Sequence, residues 1–122
     1  MENLIRQYID AYNRMDVPAM MALLHDVIVF ENVSNTQGIT ATSGKADFEA
    51  LARQSLPVFR SRRQTIRSLT LGERTAAVEL EYEAVLAIDL PTGLKAGETM
   101  QLRGVTMFAF SDGKIARISD YS

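Results

Sequence analysis

The sequence predicts an α+β fold in which three N-terminal helices pack on a mainly antiparallel sheet. Apolar residues recur every three or four positions through much of the first half, which is typical of amphipathic helices. From residue 60 onward they alternate with polar residues instead, which is typical of strands. The length of 122 residues is common for one domain, so we expect residues 1–122 to form a single domain.

The three helices are predicted from apolar stripes and from their end signals. Asp16 is a suitable N-cap and Pro18 suits the first turn of the second helix, which we expect to end near His25. Ser43-Gly44 indicates the start of the third helix, and Pro57 indicates its end. The stripe of the first helix consists of Leu4, Ile5, Tyr8, Ile9, Tyr12 and Met15.

One strand is predicted between the second and third helices, and four long strands after them. Val27–Val33 is rich in β-branched and aromatic residues, and its Ile28, Phe30 and Asn32 share one face. Glycine-containing segments separate the later strands, which favours tight antiparallel connections. The four long strands span Gln64–Leu71, Thr75–Ile88, Thr99–Phe110 and Lys114–Tyr121.

The middle two of these long strands each have a recognisable inner face. Glutamates alternate with apolar residues in the first of them, so we expect a solvated acidic outer face. On the outer face of the next strand, Val105, Met107 and Ala109 are apolar, which predicts a homodimer through that face. The two inner faces consist of Val78, Leu80, Tyr82, Ala84 and Leu86, and of Met100, Leu102, Gly104, Thr106, Phe108 and Phe110.

Composition excludes several function classes. Thirteen Lys and Arg against fifteen Asp and Glu give a net charge of −2, so we expect neither nucleic acid nor a membrane surface as a partner. The chain has no Cys and one His, which excludes thiolate and multi-histidine metal sites. No apolar run is long enough to span a bilayer and no signal peptide is recognisable, so a cytoplasmic location is expected. No metal or organic cofactor is implied.

The order of predicted elements, together with four stretches of sequence, resembles the nuclear transport factor 2-like superfamily, and within it the SnoaL-like branch. The resemblance implies a cone: a strongly curved sheet and helices that enclose an apolar pocket, with dimers through the outer sheet face. Members include steroid isomerases, polyketide cyclases, epoxide hydrolases and non-catalytic association domains, so the fold does not select a function. The four stretches are Tyr8–Asp16, Ala22–Phe30, Pro91–Gly93 and Gly113–Tyr121.

The resemblance also implies roles for single residues. Tyr8 matches the tyrosine that stabilises an oxyanion in ketosteroid isomerases, and the second oxyanion donor falls near Thr106. The base of those enzymes falls at or next to Asn32, which cannot accept a proton at neutral pH. Asp120 precedes Tyr121 as an aspartate does in limonene-epoxide-hydrolase-like members, and a last-strand aspartate is the acid/base of SnoaL-like cyclases.

Asp120 is therefore the main catalytic candidate, with Tyr8 and Asn32 as hydrogen-bonding partners of a ligand oxygen. Strand alternation places Asp120 with Ala116 and Ile118, where loss of hydration would raise the pKa of its carboxyl. The alternative is a solvated carboxylate at the end of the sheet. The residues expected to contact a small apolar ligand, such as a polycyclic or terpenoid molecule, are Tyr12, Phe30, Tyr82, Met100, Leu102, Thr106, Phe108 and Ile118.

Two functions remain open at this point. The chain is either a cofactor-independent isomerase, cyclase or hydrolase that uses Asp120 for proton transfer, or a non-catalytic ligand-binding or dimerisation module. The basic cluster Arg60, Arg62 and Arg63 is interpreted as hydrated, with phosphate binding as the alternative. His25 is interpreted as a partner of terminal helix carbonyls.

Overall fold

The computed structural model describes residues 1–122 and has the α+β class that the sequence predicts. The helices are α1 (Glu2–Asn13), α2 (Val17–Met21) and α3 (Lys45–Ser55), and a 3-10 turn (Leu56–Val58) follows α3. None of them is long and apolar enough to cross a membrane. The strands are β1 (Leu24–Ser34), β2 (Gly38–Ser43), β3 (Phe59–Leu71), β4 (Thr75–Leu86), β5 (Thr99–Ser111) and β6 (Lys114–Tyr121).

The six strands form one curled, mostly antiparallel sheet in the order β2-β1-β6-β5-β4-β3. Only one pair of neighbouring strands is parallel, and it consists of β1 and β6, the first and the last strand of the chain. In that register Asn32 of β1 lies beside Asp120, and Thr106 of β5 lies beside Asp120 on the other side. The C-terminal strand is therefore central, and Asp120 has a neighbouring strand on each side.

The second helix is shorter than predicted. Asp16 caps it by accepting a hydrogen bond from the backbone N–H of Ala19 at 3.1 Å, as expected for an N-cap. It ends at Met21 rather than near His25, because β1 begins at Leu24. Leu24 is fully buried and pairs with Ile115 of β6. Leu24 therefore joins the sheet as a buried strand residue instead of continuing α2.

The strand β2 is absent from the sequence-based prediction. It pairs with β1 in a hairpin at the edge of the sheet, with Ser34 opposite Gly38. Almost all of its residues are exposed, and the segment is short and lacks large apolar side chains apart from Ile39, so its weak alternation does not distinguish it from a loop. The strand β3 also begins earlier than predicted, at Phe59 instead of Gln64.

The core lies between the helices and the inner face of the sheet, and a β-bulge alters which β6 residues reach it. The register shifts between Ala109 and Phe110, which pair with Arg117 and Ile115, so Ala116 is the extra residue. An extra residue reverses the alternation of side chains. Ile115 therefore enters the core in place of Ala116, and the prediction that Ala116 shares a buried face with Ile118 is wrong.

The outer face of the sheet carries the predicted acidic residues, which form ion pairs there. Arg67 contacts Glu81 at 3.0 Å and Arg103 contacts Glu79 at 3.5 Å. Val105 and Met107 are each 38% exposed on β5. The outer face thus combines exposed charged pairs with apolar side chains.

Candidate functional site

A cavity of about 390 Å³ lies between the helices and the inner face of the sheet. Residues from all three helices and all six strands contribute to its wall, and most of them are hydrophobic. The apolar lining includes Met20, Phe30, Phe48, Leu51, Leu80 and Met100. The aromatic rings of Phe30 and Phe48 pack together with centroids 4.9 Å apart, so β1 and α3 form one side of the cavity.

Asp120 supplies the one carboxylic acid side chain in the cavity wall. Its Oδ1 accepts a hydrogen bond of 2.5 Å from Oγ1 of Thr106, the residue opposite it on β5. Burial raises the pKa of the Asp120 carboxyl, and the hydrogen bond from Thr106 opposes that rise. Burial is the larger effect because it removes hydration from the ionised form.

Two tyrosines form a hydroxyl pair in the same cavity. The hydroxyl groups of Tyr12 on α1 and Tyr82 on β4 are 3.0 Å apart, and either can donate. Burial raises the pKa of both phenols, so both are neutral hydrogen-bonding groups at physiological pH. One of the two hydroxyl protons forms the hydrogen bond between the two oxygens. The other hydroxyl proton remains available for a hydrogen bond to a bound molecule.

Arg62 is the functional candidate that sequence reasoning missed. Its side chain is only 5% exposed and lines the cavity, whereas Arg60 and Arg63 beside it are exposed. The hydrated interpretation of the basic cluster is therefore wrong for Arg62. Its Nε donates to the carbonyl of Tyr12 at 2.9 Å, and its guanidinium carbon lies 3.7 Å from the centre of the Tyr12 ring.

Tyr8 and Asn32 occupy different surroundings from each other. Tyr8 is buried in the core, packs edge-on against Phe108 and is not part of the cavity wall. Burial is the main cause of its raised pKa, and the negative charge of Asp120 adds to it. Asn32 is exposed and lines the cavity beside Asp120. The structure thus brings Asn32, but not Tyr8, to the cavity with Asp120.

Most of the residues predicted to contact a ligand also line the cavity, but two do not. Phe108 and Ile118 are fully buried core residues behind the wall, so contact between them and a bound molecule would require the core to open. Leu102 is 46% exposed and lies at the rim. The predicted residues that line the cavity are Tyr12, Phe30, Tyr82, Met100, Leu102 and Thr106.

The polar groups of the cavity suit proton transfer and hydrogen bonding. They include the carboxyl of Asp120, the phenols of Tyr12 and Tyr82, the guanidinium of Arg62 and the amide of Asn32. No group of three or more His, Asp or Glu side chains is arranged to hold a metal ion. A carboxyl of raised pKa beside neutral donors can exchange a proton with a ligand and stabilise an oxygen on it.

Comparisons with known proteins agree with this architecture. The model of the SnoaL-like domain family matches residues 5–118, and no curated protein matches the sequence significantly. A candidate polyketide cyclase from Pseudomonas putida KT2440 is 27% identical with a TM-score of 0.78, covering 98% of this chain and 88% of its own.

Two further solved structures share the fold at lower identity. The candidate hydroxylase AclR from Streptomyces galilaeus is 20% identical with a TM-score of 0.76, covering 98% of this chain and 75% of its own. An LEH-like epoxide hydrolase from M. tuberculosis is 18% identical with a TM-score of 0.77, covering 98% of this chain and 79% of its own. Because the family model matches nearly the whole sequence, this chain belongs to the SnoaL-like domain family of the nuclear transport factor 2-like superfamily.

Proposed function

We propose that this protein binds a small, largely apolar molecule in its cavity and that Asp120 transfers a proton on that molecule. The observation that carries the proposal is the position of Asp120 as the one carboxylic acid side chain in a mostly hydrophobic cavity wall. Burial raises the pKa of this carboxyl, which brings it closer to neutral pH, where a group serves best as both acid and base.

The surroundings of Asp120 support this role. Thr106 donates to Oδ1, which fixes the carboxyl plane and leaves Oδ2 for a ligand. As a base, Oδ2 would remove a proton from an acidic carbon or from an attacking water; as an acid, the protonated carboxyl would return it. The free phenol proton of the Tyr12 and Tyr82 pair would donate to the carbonyl oxygen on which negative charge develops.

The family supports a reaction of the isomerase, cyclase or hydrolase type. The Pseudomonas putida relative is a candidate polyketide cyclase, and the M. tuberculosis neighbour is an epoxide hydrolase. Enolisation, ring closure and epoxide opening each need one proton-transfer group and an oxygen-stabilising donor. No step in this scheme requires a cofactor.

A non-catalytic ligand-binding or dimerisation module is the second candidate. It is favoured by Asn32, which lines the cavity at the position where the resemblance to ketosteroid isomerases would place the carboxylate base. The exposed apolar residues Val105 and Met107 on the outer sheet face also favour an association surface. In this case the cavity would hold a metabolite without turning it over.

The titration of Asp120 followed by carbon-13 NMR tests the proposal without a known substrate. We expect the Asp120 carboxyl to titrate above the range of an unfolded aspartate and its chemical shift to respond to a bound hydrophobic ligand. A panel of steroids, terpenoids and polyketide aromatics, screened by thermal shift, supplies such a ligand. A carboxyl that titrates as in a free peptide and ignores every bound ligand would favour the non-catalytic module.

Activity provides the second test once a substrate is found. Asp120→Asn should lower kcat by about 10²–10⁴-fold, the usual contribution of a positioned acid/base, while ligand affinity stays nearly unchanged. Asp26→Asn is the matched control because Asp26 is exposed on β1 and outside the cavity. An Asp120→Asn variant with full turnover would exclude proton transfer by Asp120.

A further inference from the structure

The buried guanidinium of Arg62 has no anionic partner within the molecule. Its Nε donates to the carbonyl of Tyr12, its guanidinium also interacts with the side chain of Tyr12, and Nη2 is buried without any partner. None of the ion pairs of the molecule includes Arg62. Charged groups this deeply buried are normally paired, because an unpaired charge loses its hydration without any compensating interaction.

The contacts with Tyr12 satisfy only part of the guanidinium. The carbonyl of Tyr12 lies at the C-terminal end of α1, where the helix dipole favours a positive charge. The ring of Tyr12 covers one face of the guanidinium, which adds a cation–π attraction. A guanidinium nevertheless has five N–H donors in a planar fork, and a single neutral carbonyl uses one of them.

We infer that the natural ligand of this cavity carries a planar anionic group, a carboxylate, which pairs with the guanidinium of Arg62 while its apolar body fills the remaining space. This inference rests on the proposed function, because it names the class of molecule that occupies the same cavity. The fork of an arginine matches the two oxygens of a carboxylate. The predominantly hydrophobic wall suits the body of an aromatic or alicyclic acid rather than a sugar acid or a free inorganic anion.

The position of Arg62 separates this anchor from the proton-transfer group. Arg62 lies on β3 and Asp120 on β6, with β4 and β5 between them. Neighbouring strands are about 4.8 Å apart, so the path along the curled sheet between the two backbones is roughly 14 Å long. Arg62 and Asp120 line the same cavity from strands that are not neighbours, so a ligand with its carboxylate on Arg62 can present a different part of its body to Asp120.

Binding of two matched probes to wild type and variants tests the inference. We would measure the affinities of 2-naphthoate and 2-naphthamide, which share an apolar body and differ in charge, by calorimetry. Wild type should prefer the carboxylate by about tenfold or more, as expected for a charge-assisted bidentate pair. Arg62→Met should remove this preference and leave the amide affinity within about twofold. Arg60→Met is the control because Arg60 is an exposed residue of the same strand, and it should change neither affinity.

A second variant, Arg62→Lys, and a small competitor, acetate, complete the test. If Arg62→Met does not fold, Arg62→Lys keeps the charge without the planar fork and should show a preference below that of wild type. Acetate, measured by competition with 2-naphthoate, should bind at least about 100-fold more weakly than 2-naphthoate, since acetate lacks the apolar body. Acetate that competes equally well would identify a free small anion as the occupant and overturn the inference.

The failures of the inference and of the proposed function are distinguishable. Equal affinity of wild type for both probes, or a preference that persists in Arg62→Met, would overturn the carboxylate anchor and leave the apolar ligand cavity standing. Binding of neither probe would overturn the carboxylate anchor. The proposed function is then decided separately, by the titration of Asp120 and the wider ligand panel.

Discussion

Replacing Gly104 by alanine is expected to lower the free energy of unfolding by roughly 1–2 kcal/mol, because β5 and β6 approach each other too closely there for a side chain. A Cβ atom at Gly104 would lie 2.5 Å from the backbone oxygen of Tyr121 and 3.5 Å from the Cβ of Ser122. The backbone of Gly104 does not have a positive φ, so the obstacle is space and not strain.

The magnitude follows from the displacement that the new methyl group requires. A relaxed C···O contact is about 3.3 Å or longer, so the strands must separate by roughly 0.8 Å. Overpacking of this kind costs about 1–3 kcal/mol, and the lower entropy of the unfolded alanine chain returns about 0.4–1 kcal/mol. The obstructing atom belongs to a backbone, which cannot rotate away as a side chain can.

Urea and thermal denaturation measure this loss. For a chain of this size, the expected change corresponds to a midpoint lower by roughly 3–8 °C. Gly72→Ala is the control, since the atom closest to its added Cβ is Oγ1 of Thr75, at the tip of a side chain. Its free energy of unfolding should change by less than about 0.5 kcal/mol. Equal stability of Gly104→Ala and wild type would refute the close approach of Gly104 to Tyr121.

Three other predictions concern charge, helix docking and assembly. Burial raises the pKa of Asp120, so the folded state holds this proton more tightly than the unfolded chain, whose aspartates titrate near about 3.9. The free energy of unfolding of wild type should therefore fall as pH rises from that value through the raised pKa of Asp120. The Asp120→Asn variant should not show this fall. Urea midpoints that change in parallel for the two proteins from pH 4 to pH 8 would contradict the prediction. Asn13→Ala should lower the free energy of unfolding by about 1–3 kcal/mol. The reason is that the side chain of Asn13 forms two hydrogen bonds with the backbone of Gln64, at 3.1 and 2.7 Å. Amide hydrogen exchange at Gln64 should accelerate in the variant. Light scattering at micromolar concentration should give the mass of a dimer for wild type and of a monomer for Val105→Asp. The reason is that Val105 and Met107 expose apolar area on the outer sheet face. A monomeric wild type would refute a dimer interface on this face.

The sequence predicts best the elements whose signals are local. The strand β6 was predicted at Lys114–Tyr121 and has those bounds, because a turn with a positive φ at Asp112 and Gly113 precedes it and apolar side chains mark its length. The first helix was also predicted from its stripe of apolar residues, although Met15 of that stripe lies beyond the end of α1 at Asn13. The strand β2 was missed because an exposed edge strand buries too little to leave a pattern.

What the sequence by itself determined is the α+β class, the family resemblance and the candidacy of Asp120, since each depends on short-range periodicity or on motifs. The cavity with its partners was decided by tertiary structure alone. Arg62 meets the end of α1 across 50 residues of sequence, and Tyr12 meets Tyr82 across 70. In the sequence Arg62 is one of three nearby arginines that look alike. Only the pairing of β3 with β4 and the packing of α1 above them distinguish it, because the environment of a charge is set by which distant residues exclude water from it.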